Sequence, residues 1–222
     1  MIKKVIKLVS RLNIPTIYFN LKYLPLRQAC FLPILVSRRT YLKVVSGKIE
    51  INAPLKTGLI QIGYGGVGIF DKERSRTIWE VSGTVMFNGK CNIGHGSKIS
   101  VSSSGTLSLG SNFVITAETS IIVQTRVEFG DNCLLSWDSL IMDTDFHKIK
   151  NDFGIQINSP KPVLVGNNVW IGCRCLVLKG AQIPSNSIVG ANSLVSKVLD
   201  KQNALYAGNP CKLIKENVNW EP

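Results

Sequence analysis

From residue 165 the chain repeats apolar and polar positions on a period of six: VGNNVW, IGCRCL, VLKGAQ, IPSNSI, VGANSL, VSKVLD. Position one is Val165, Ile171, Val177, Ile183, Val189 and Val195, all branched aliphatics. Position two is small or turn-compatible at Gly166, Gly172, Pro184, Gly190 and Ser196, and position five runs Val169, Cys175, Ala181, Ser187, Ser193 and Leu199, mostly small. A six-residue period fits neither an amphipathic helix, which repeats every 3.6 residues, nor the two-residue alternation of a plain strand. It fits short strands joined by corners, three to a coil, stacked into a triangular prism. Position one then fills the interior, position five fits the tapering corner, and glycine relieves crowding at the bend.

The same frame continues upstream with slips. Val81, Phe87, Ile93 and Ile99 form one run, with Val85, Cys91, Ser97 and Ser103 at position five. Leu109, Ile115 and Ile121 form a second run, and Phe129, Leu135 and Ile141 a third with Cys133 at position five. The offsets between runs predict small insertions at corners. The largest interruption, between Ile141 and Val165, breaks the frame entirely and holds His147, one of two histidines in the protein. In a repeat scaffold such an insertion maps to a loop on one face, where binding chemistry tends to sit.

The first residues follow a different pattern. Ile2, Val5, Ile6, Val9 and Leu12 recur at helical spacing among Lys3, Lys4, Lys7 and Arg11, and Pro15, Pro25 and Pro33 then divide the segment. The predicted organisation is a basic, mostly helical or irregular N-terminal cap over 1–46, a β-helix over 47–204 carrying a loop at 142–163, and a C-terminal tail over 205–222. Residues 47–80 are expected to form irregular first coils, with a charged hairpin loop at Asp71–Arg76. The tail is expected to turn at Gly208-Asn209-Pro210 and to end in a short helix from Lys212.

Charge and cysteines change this picture only locally. Of the net charge of +12, residues 1–50 carry ten cations against one acid, Glu50. Such a patch attracts anionic lipid, nucleic acid or anionic small molecules alike. With no zinc finger, RNA-binding aromatic motif or basic heptad, no nucleic-acid partner is expected. Ala29 to Val36 is too short to span a bilayer, and lysines interrupt the start of the chain, so no clean export signal is read. The expected location is cytoplasmic; residues 1–46 are read first as covering the open end of the prism, with peripheral contact at an anionic membrane as the second reading. The six cysteines match no zinc ribbon or disulfide scaffold; Cys91, Cys133 and Cys175 fall on inward small positions, where a reduced cysteine acts as a compact hydrophobe.

The run PVLVGNNVWIGCRCLVLKGAQIPSNSIVGANSLVSKVL, followed by LYAGNPCKLIK, resembles the hexapeptide-repeat acyltransferases. The resemblance covers about residues 81–215 and is nearest the maltose/galactoside acetyltransferase-like group, which includes enzymes encoded with capsule and lipopolysaccharide genes. It implies an all-β, left-handed parallel β-helix assembled as a homotrimer, with active sites between adjacent prisms. It also implies acetyl-CoA as acyl donor, no metal, and a sugar or surface-polysaccharide hydroxyl as acceptor. DTDFH, residues 143–147, resembles the loop in which that family places its catalytic histidine.

Acyl transfer from a thioester to an alcohol needs a group that takes the hydroxyl proton, and histidine titrates near neutrality. His147 is therefore the expected general base. Asp143 and Asp145 flank it; Asp145 is carried as the candidate that orients the imidazole, with a turn-forming or solvated role open for each. Trp170 follows the inward Val169 and is expected to project as a wall beside the donor or between subunits. By resemblance Gly172, Cys173, Gly190 and Ala191 line the pantetheine arm, and Lys197, Lys212 and Lys215 meet the donor phosphates. His95 is expected at a surface or interface, and Cys173 lacks a nearby base that would make it a nucleophile. Two other readings compete. A γ-type carbonic anhydrase on the same prism needs three histidines around zinc, against two here. A trimeric scaffold for polysaccharide assembly would need neither the histidine loop nor donor-like repeats.

Overall fold

The computed structural model describes residues 12–221. Its strands form three sheets of nine, seven and six members, parallel except for the last strand of the first, and as far as residue 195 successive strands visit the three sheets in turn. The result is a left-handed parallel β-helix, as expected, with each sheet one face of a triangular prism. We call these the first, second and third faces, in the order of Ile34–Val36, Thr40–Val45 and Lys48–Ile51.

The hexads pack as the period predicts. Val165, Ile171, Val177, Ile183, Val189 and Val195 all point inward and are buried, and so are the position-five residues from Val169 to Leu199. Ile171 pairs with Val189 and Val177 with Val195, so a C-terminal coil takes eighteen residues. Upstream, Ile115 pairs with Leu135 and Ile121 with Ile141, twenty residues on, and Ile93 pairs with Ile115, twenty-two on. The extra residues sit in the corners. Ser103, expected inward, is exposed because the corner between Lys98–Val101 and Thr106–Leu109 is one of these longer turns.

Corner geometry explains a regularity at position four. Asn168, Arg174, Gly180, Asn186 and Asn192 all have positive φ, between 54° and 80°. Asparagine tolerates the left-handed region better than most residues, and the Asn168 amide donates to that of Asn186 one coil on at 3.1 Å. Coils stack closely where position two is glycine. A Cβ on Gly172 would sit 2.7 Å from the backbone nitrogen of Ala191, too close for any other residue without movement.

The prism begins earlier than expected. Ile34–Val36 already pairs in parallel with Ile60–Ile62, so the first coil starts at residue 34 and not at 47. The cap ahead of it consists of α1 (Ile14–Tyr23) and α2 (Leu26–Ala29). Asn13 caps α1 by accepting from Thr16 N at 2.9 Å, and Pro15 lies in the first turn, where a missing N–H costs nothing. The inward side of α1 is polar. Asn20 donates to Ile34 O at 2.6 Å and accepts from Ile34 N at 3.2 Å. The Thr16 hydroxyl does the same for Val36 at 3.0 and 2.9 Å. These side chains take the backbone groups that the first strand would otherwise leave unpaired at the end of the sheet. Phe19 completes the contact, packed edge-on against buried Trp79 at 5.3 Å. The helix read over Ile2–Leu12 lies outside the described residues save for Leu12, which is not helical.

Two further expectations are corrected. Residues 65–76 form no hairpin, because the strands they join, Ile60–Tyr64 and Thr77–Val81, lie on different faces; they are an excursion at a corner. The tail does not end in a helix. Lys212–Glu216 is a strand antiparallel to Ala204–Ala207, because the turn at Gly208–Pro210 returns the chain directly onto an open sheet edge whose backbone groups need partners.

Candidate active site

The chain leaves the prism after Leu140–Met142 on the second face and returns at Val163–Val165 on the third. At the foot of this loop Asp143 is fully buried. Its carboxylate accepts from the backbone N–H groups of Gln124, Thr125 and Arg126 at 2.6–2.7 Å and from the Thr125 hydroxyl at 2.7 Å. Thr144 bonds the Gln124 side chain beside it. Asp143 is thus an anchor that fixes the loop to the preceding coil, and its carboxylate is too fully engaged to serve the imidazole.

Above this anchor Phe146 has φ +60°, in the left-handed region, and the chain turns so that His147 is exposed. The backbone of His147 is held at both ends: its N–H donates to Asp145 O at 2.7 Å, and its carbonyl accepts from Asn158 Nδ2 at 2.8 Å. No side chain among the described residues engages the imidazole. Asp145, expected to orient that ring, instead directs its carboxylate to Lys179 and to Asn158 Nδ2, the latter at 2.9 Å. The Lys179 ammonium and the Asn158 amide hold the Asp145 carboxyl below the usual carboxylate range. Lys179 also donates to Asn158 O at 2.9 Å. Neither Lys179 nor Asn158 is conspicuous in the sequence. Their one signal is placement, Lys179 at the next corner of the same prism edge and Asn158 on the returning limb of the loop.

At the foot of the loop lies a cleft of about 480 Å³. Glu80, Ser100, Ser102, Ser104 and Gln124 give it a hydroxyl-, amide- and carboxylate-bearing wall, and Phe146 closes its upper side. A cleft rich in short hydrogen-bonding side chains suits a ligand that is itself dense in hydroxyls.

The residues expected to hold the donor divide between places. Gly172, Cys173, Gly190 and Ala191 share the corner between the first and second faces, with Trp170 just before them on the first face. Trp170 projects outward, donates to Ser136 Oγ at 3.1 Å, and lies 6.1 Å from the Trp220 ring of the tail. Lys197 and Lys212 line one groove of about 390 Å³ at the C-terminal end of the prism, with Tyr206 and Asp200. Lys215 lies outside that groove, on the last strand opposite Leu205. His147, Asp145 and Lys197 stand on the edge between the second and third faces. Within one prism, then, the histidine and the small-residue corner occupy different edges.

His95 is not at the surface. It is 3% exposed, and its Nε2 lies 3.0 Å from Ser75 Oγ, which bonds Glu118 in turn; Lys98 completes the row at 3.2 Å from Glu118. With the Ser75 proton committed to Glu118, the neutral imidazole donates from Nε2. This row ties the 65–76 excursion to the two coils beneath it. Among the described residues no group of three or more histidine, cysteine or acidic side chains could hold a metal ion.

No protein-family model matches the sequence, but individual relatives do. The chain is 32% identical over 111 residues to the galactoside O-acetyltransferase of Escherichia coli K12, covering 49% of this chain and 53% of the relative. It thus spans about half the length of the curated relatives it matches at this level. An uncharacterised 24.8 kDa protein in the cps region of Klebsiella pneumoniae is 26% identical over 193 residues, 85% of this chain and 81% of that one. Among solved structures, the polySia-specific acetyltransferase NeuO superposes with a TM-score of 0.55 at 20% identity, over 85% of this chain and 79% of the other. Over about half of its length the chain is thus similar to galactoside O-acetyltransferases. The hexads explain the prism, and the loop that breaks them is the feature whose chemistry has to be accounted for.

Proposed function

We propose that this hexapeptide-repeat protein is an acetyl-CoA-dependent O-acetyltransferase acting on a hydroxyl of a sugar or surface-polysaccharide precursor in the cytoplasm. The observation that carries the reading is the junction of the His147 loop with the serine-lined cleft beneath it. Phe146, the neighbour of His147 in the chain, lines this cleft, so an acceptor hydroxyl bound there would lie beside the loop that carries the imidazole. His147 takes the hydroxyl proton as the oxygen attacks the thioester carbonyl. The carbon–sulfur bond then breaks, and the proton passes to the departing thiolate, leaving an ester and free coenzyme A. Asp145, Lys179 and Asn158 position the loop and do not touch the reacting atoms.

The donor lies, in this reading, along Gly172, Cys173, Gly190 and Ala191 beside Trp170, with Lys197, Lys212 and Lys215 near its phosphates. Because the histidine edge and the small-residue edge of one prism are separate, the site is completed by a second copy, and three copies around one axis close the set. The second face would then turn toward that axis. Its outer surface favours this, since Leu140, Leu176 and Leu194 stack in register along it.

The test is to incubate the purified protein with acetyl-CoA and a panel of sugars and capsule fragments and to follow free thiol. His147→Ala is expected to lower turnover by about 10²–10⁴-fold while light scattering shows an unchanged trimer. Undiminished turnover in that variant removes His147 from the mechanism. Absence of acetyl transfer together with absence of coenzyme A binding leaves the scaffold reading instead.

A further inference from the structure

The cap helix α1 is inside out. Its buried face carries Thr16, Phe19 and Asn20, the two polar residues being spent on the edge of the first strand. Its outward stripe is Ile14, Ile17, Tyr18 and Leu21, at the i, i+3, i+4, i+7 spacing by which a helix normally faces its own core. Ile14 is 82% exposed, and beyond the helix Leu26, 71% exposed, and Phe31 extend the same apolar character. A soluble surface helix shows the opposite arrangement.

Charge frames this stripe. Lys22 and Arg27 are exposed on the two cap helices, Arg38 lines a groove with Ile14 and Ile17, and Glu50 is the one acid among the first fifty residues. In the sequence ahead of α1, Ile2, Val5, Ile6 and Val9 alternate at helical spacing with Lys3, Lys4, Lys7 and Arg11. An apolar stripe rimmed by cations is the chemistry that enters the headgroup region of an anionic bilayer, its side chains in the acyl boundary and its lysines and arginines on the phosphates. Among the described residues no helix is long and apolar enough to cross a membrane, so the contact is peripheral.

We infer that the α1–α2 end of the prism docks on an anionic lipid surface through Ile14, Ile17, Tyr18, Leu21 and Leu26. The prism axis then stands away from the bilayer, with the His147 loop on a side wall. This inference goes beyond the acetyltransferase reading and does not rest on it, because lipid binding is measured without turnover.

The experiment is co-sedimentation of the full chain with vesicles of phosphatidylcholine alone and of phosphatidylcholine mixed with phosphatidylglycerol, at low and high salt. The expected result is binding to the anionic vesicles that weakens with salt. The double variant Ile14→Asp/Leu21→Asp should bind at least about tenfold more weakly, since it puts charges where aliphatic side chains enter the acyl boundary, with an unchanged melting temperature. Lys22→Glu/Arg27→Glu, which leaves the apolar stripe intact, should weaken binding to the anionic vesicles alone. Equal binding by wild type and the aspartate variant overturns the proposal, and so does absence of wild-type binding at low salt. A wild-type assembly that is larger in solution than that of the aspartate variant also overturns it, because the stripe is then covered by another copy of the chain.

Discussion

The carboxylate of Asp143 and the Thr125 hydroxyl lie 2.7 Å apart, and the same carboxylate closes on three consecutive backbone N–H groups of that corner. The loop that carries His147 is therefore hung from one side chain. Asp143→Ala leaves these part-buried donors without their acceptor, at up to about 1–3 kcal/mol for a group that water does not reach. We expect a lowered melting temperature and faster amide exchange at residues 124–126. An exchange pattern identical to wild type would show that the corner does not depend on Asp143.

The Asp145–Lys179 pair gives a pH dependence of known sign. The folded carboxyl lies below its ordinary value, held there by Lys179 and Asn158. Its stabilising effect on the loop is thus fully present above the unfolded value of about 3.9 and is lost as pH falls through the lower, folded one. The pair is partly exposed, so the effect is local. Lys179→Met should abolish it, raising loop exchange at neutral pH to the level wild type reaches only in acid. If wild type and Lys179→Met show the same exchange at every pH, the ion pair plays no part in ordering the loop.

His95 predicts an acid limb in global stability. Burial lowers its imidazole pKa, and Lys72 and Arg39 act in the same direction against Glu118. Below the ordinary imidazole value of about 6.5 the unfolded chain takes up a proton that the folded chain refuses. Stability is therefore full above that value and falls as pH drops through the folded one. Melting temperature measured against pH should decline more steeply for wild type than for His95→Gln in this window. Parallel curves would mean that the Ser75–His95–Glu118 row does not exclude the proton.

Thiol chemistry separates surface from interior. Burial pushes Cys133 up to about 11 and raises Cys91 and Cys175 as well. Cys30 is exposed and Cys173 partly so. A thiol reagent applied to the native protein should label Cys30 first and Cys173 more slowly. Cys91, Cys133 and Cys175 should react only on unfolding, and peptide mapping distinguishes these orders. Labelling of Cys175 in the native state would contradict the inward position that its hexad requires.

The prism was legible because its interior dictates residue type so strictly: a branched aliphatic at Val165 or Ile183 and a small residue at Ala181 or Ser193 are imposed by the narrow core. The left-handed corners lie in the same hexads, as asparagine at 168, 186 and 192, but asparagine serves turns of many kinds and does not by itself single out a corner. The α1 helix was harder to read. Pattern reading assumes that a helix buries its apolar stripe, whereas here a strand edge needed Thr16 and Asn20. Pro15 opens the helix, yet a proline in sequence fits a helix start and an interruption alike. In the site, the loop and His147 stood out as a break in the period. The clasp of Asp145 by Lys179 and Asn158 did not, because those partners meet only once the loop has folded back on the next corner. The final strand at Lys212–Glu216 was missed for the same reason, its partner edge existing only after the coils have stacked.

Parallel sheets stacked along an axis are templates for their own continuation, and an open prism would invite a second prism to add at either end. Here the first face is sealed at the bottom by the side chains of Thr16 and Asn20 and at the top by a strand running the wrong way for another coil. Growth into fibres is blocked at that face at both ends.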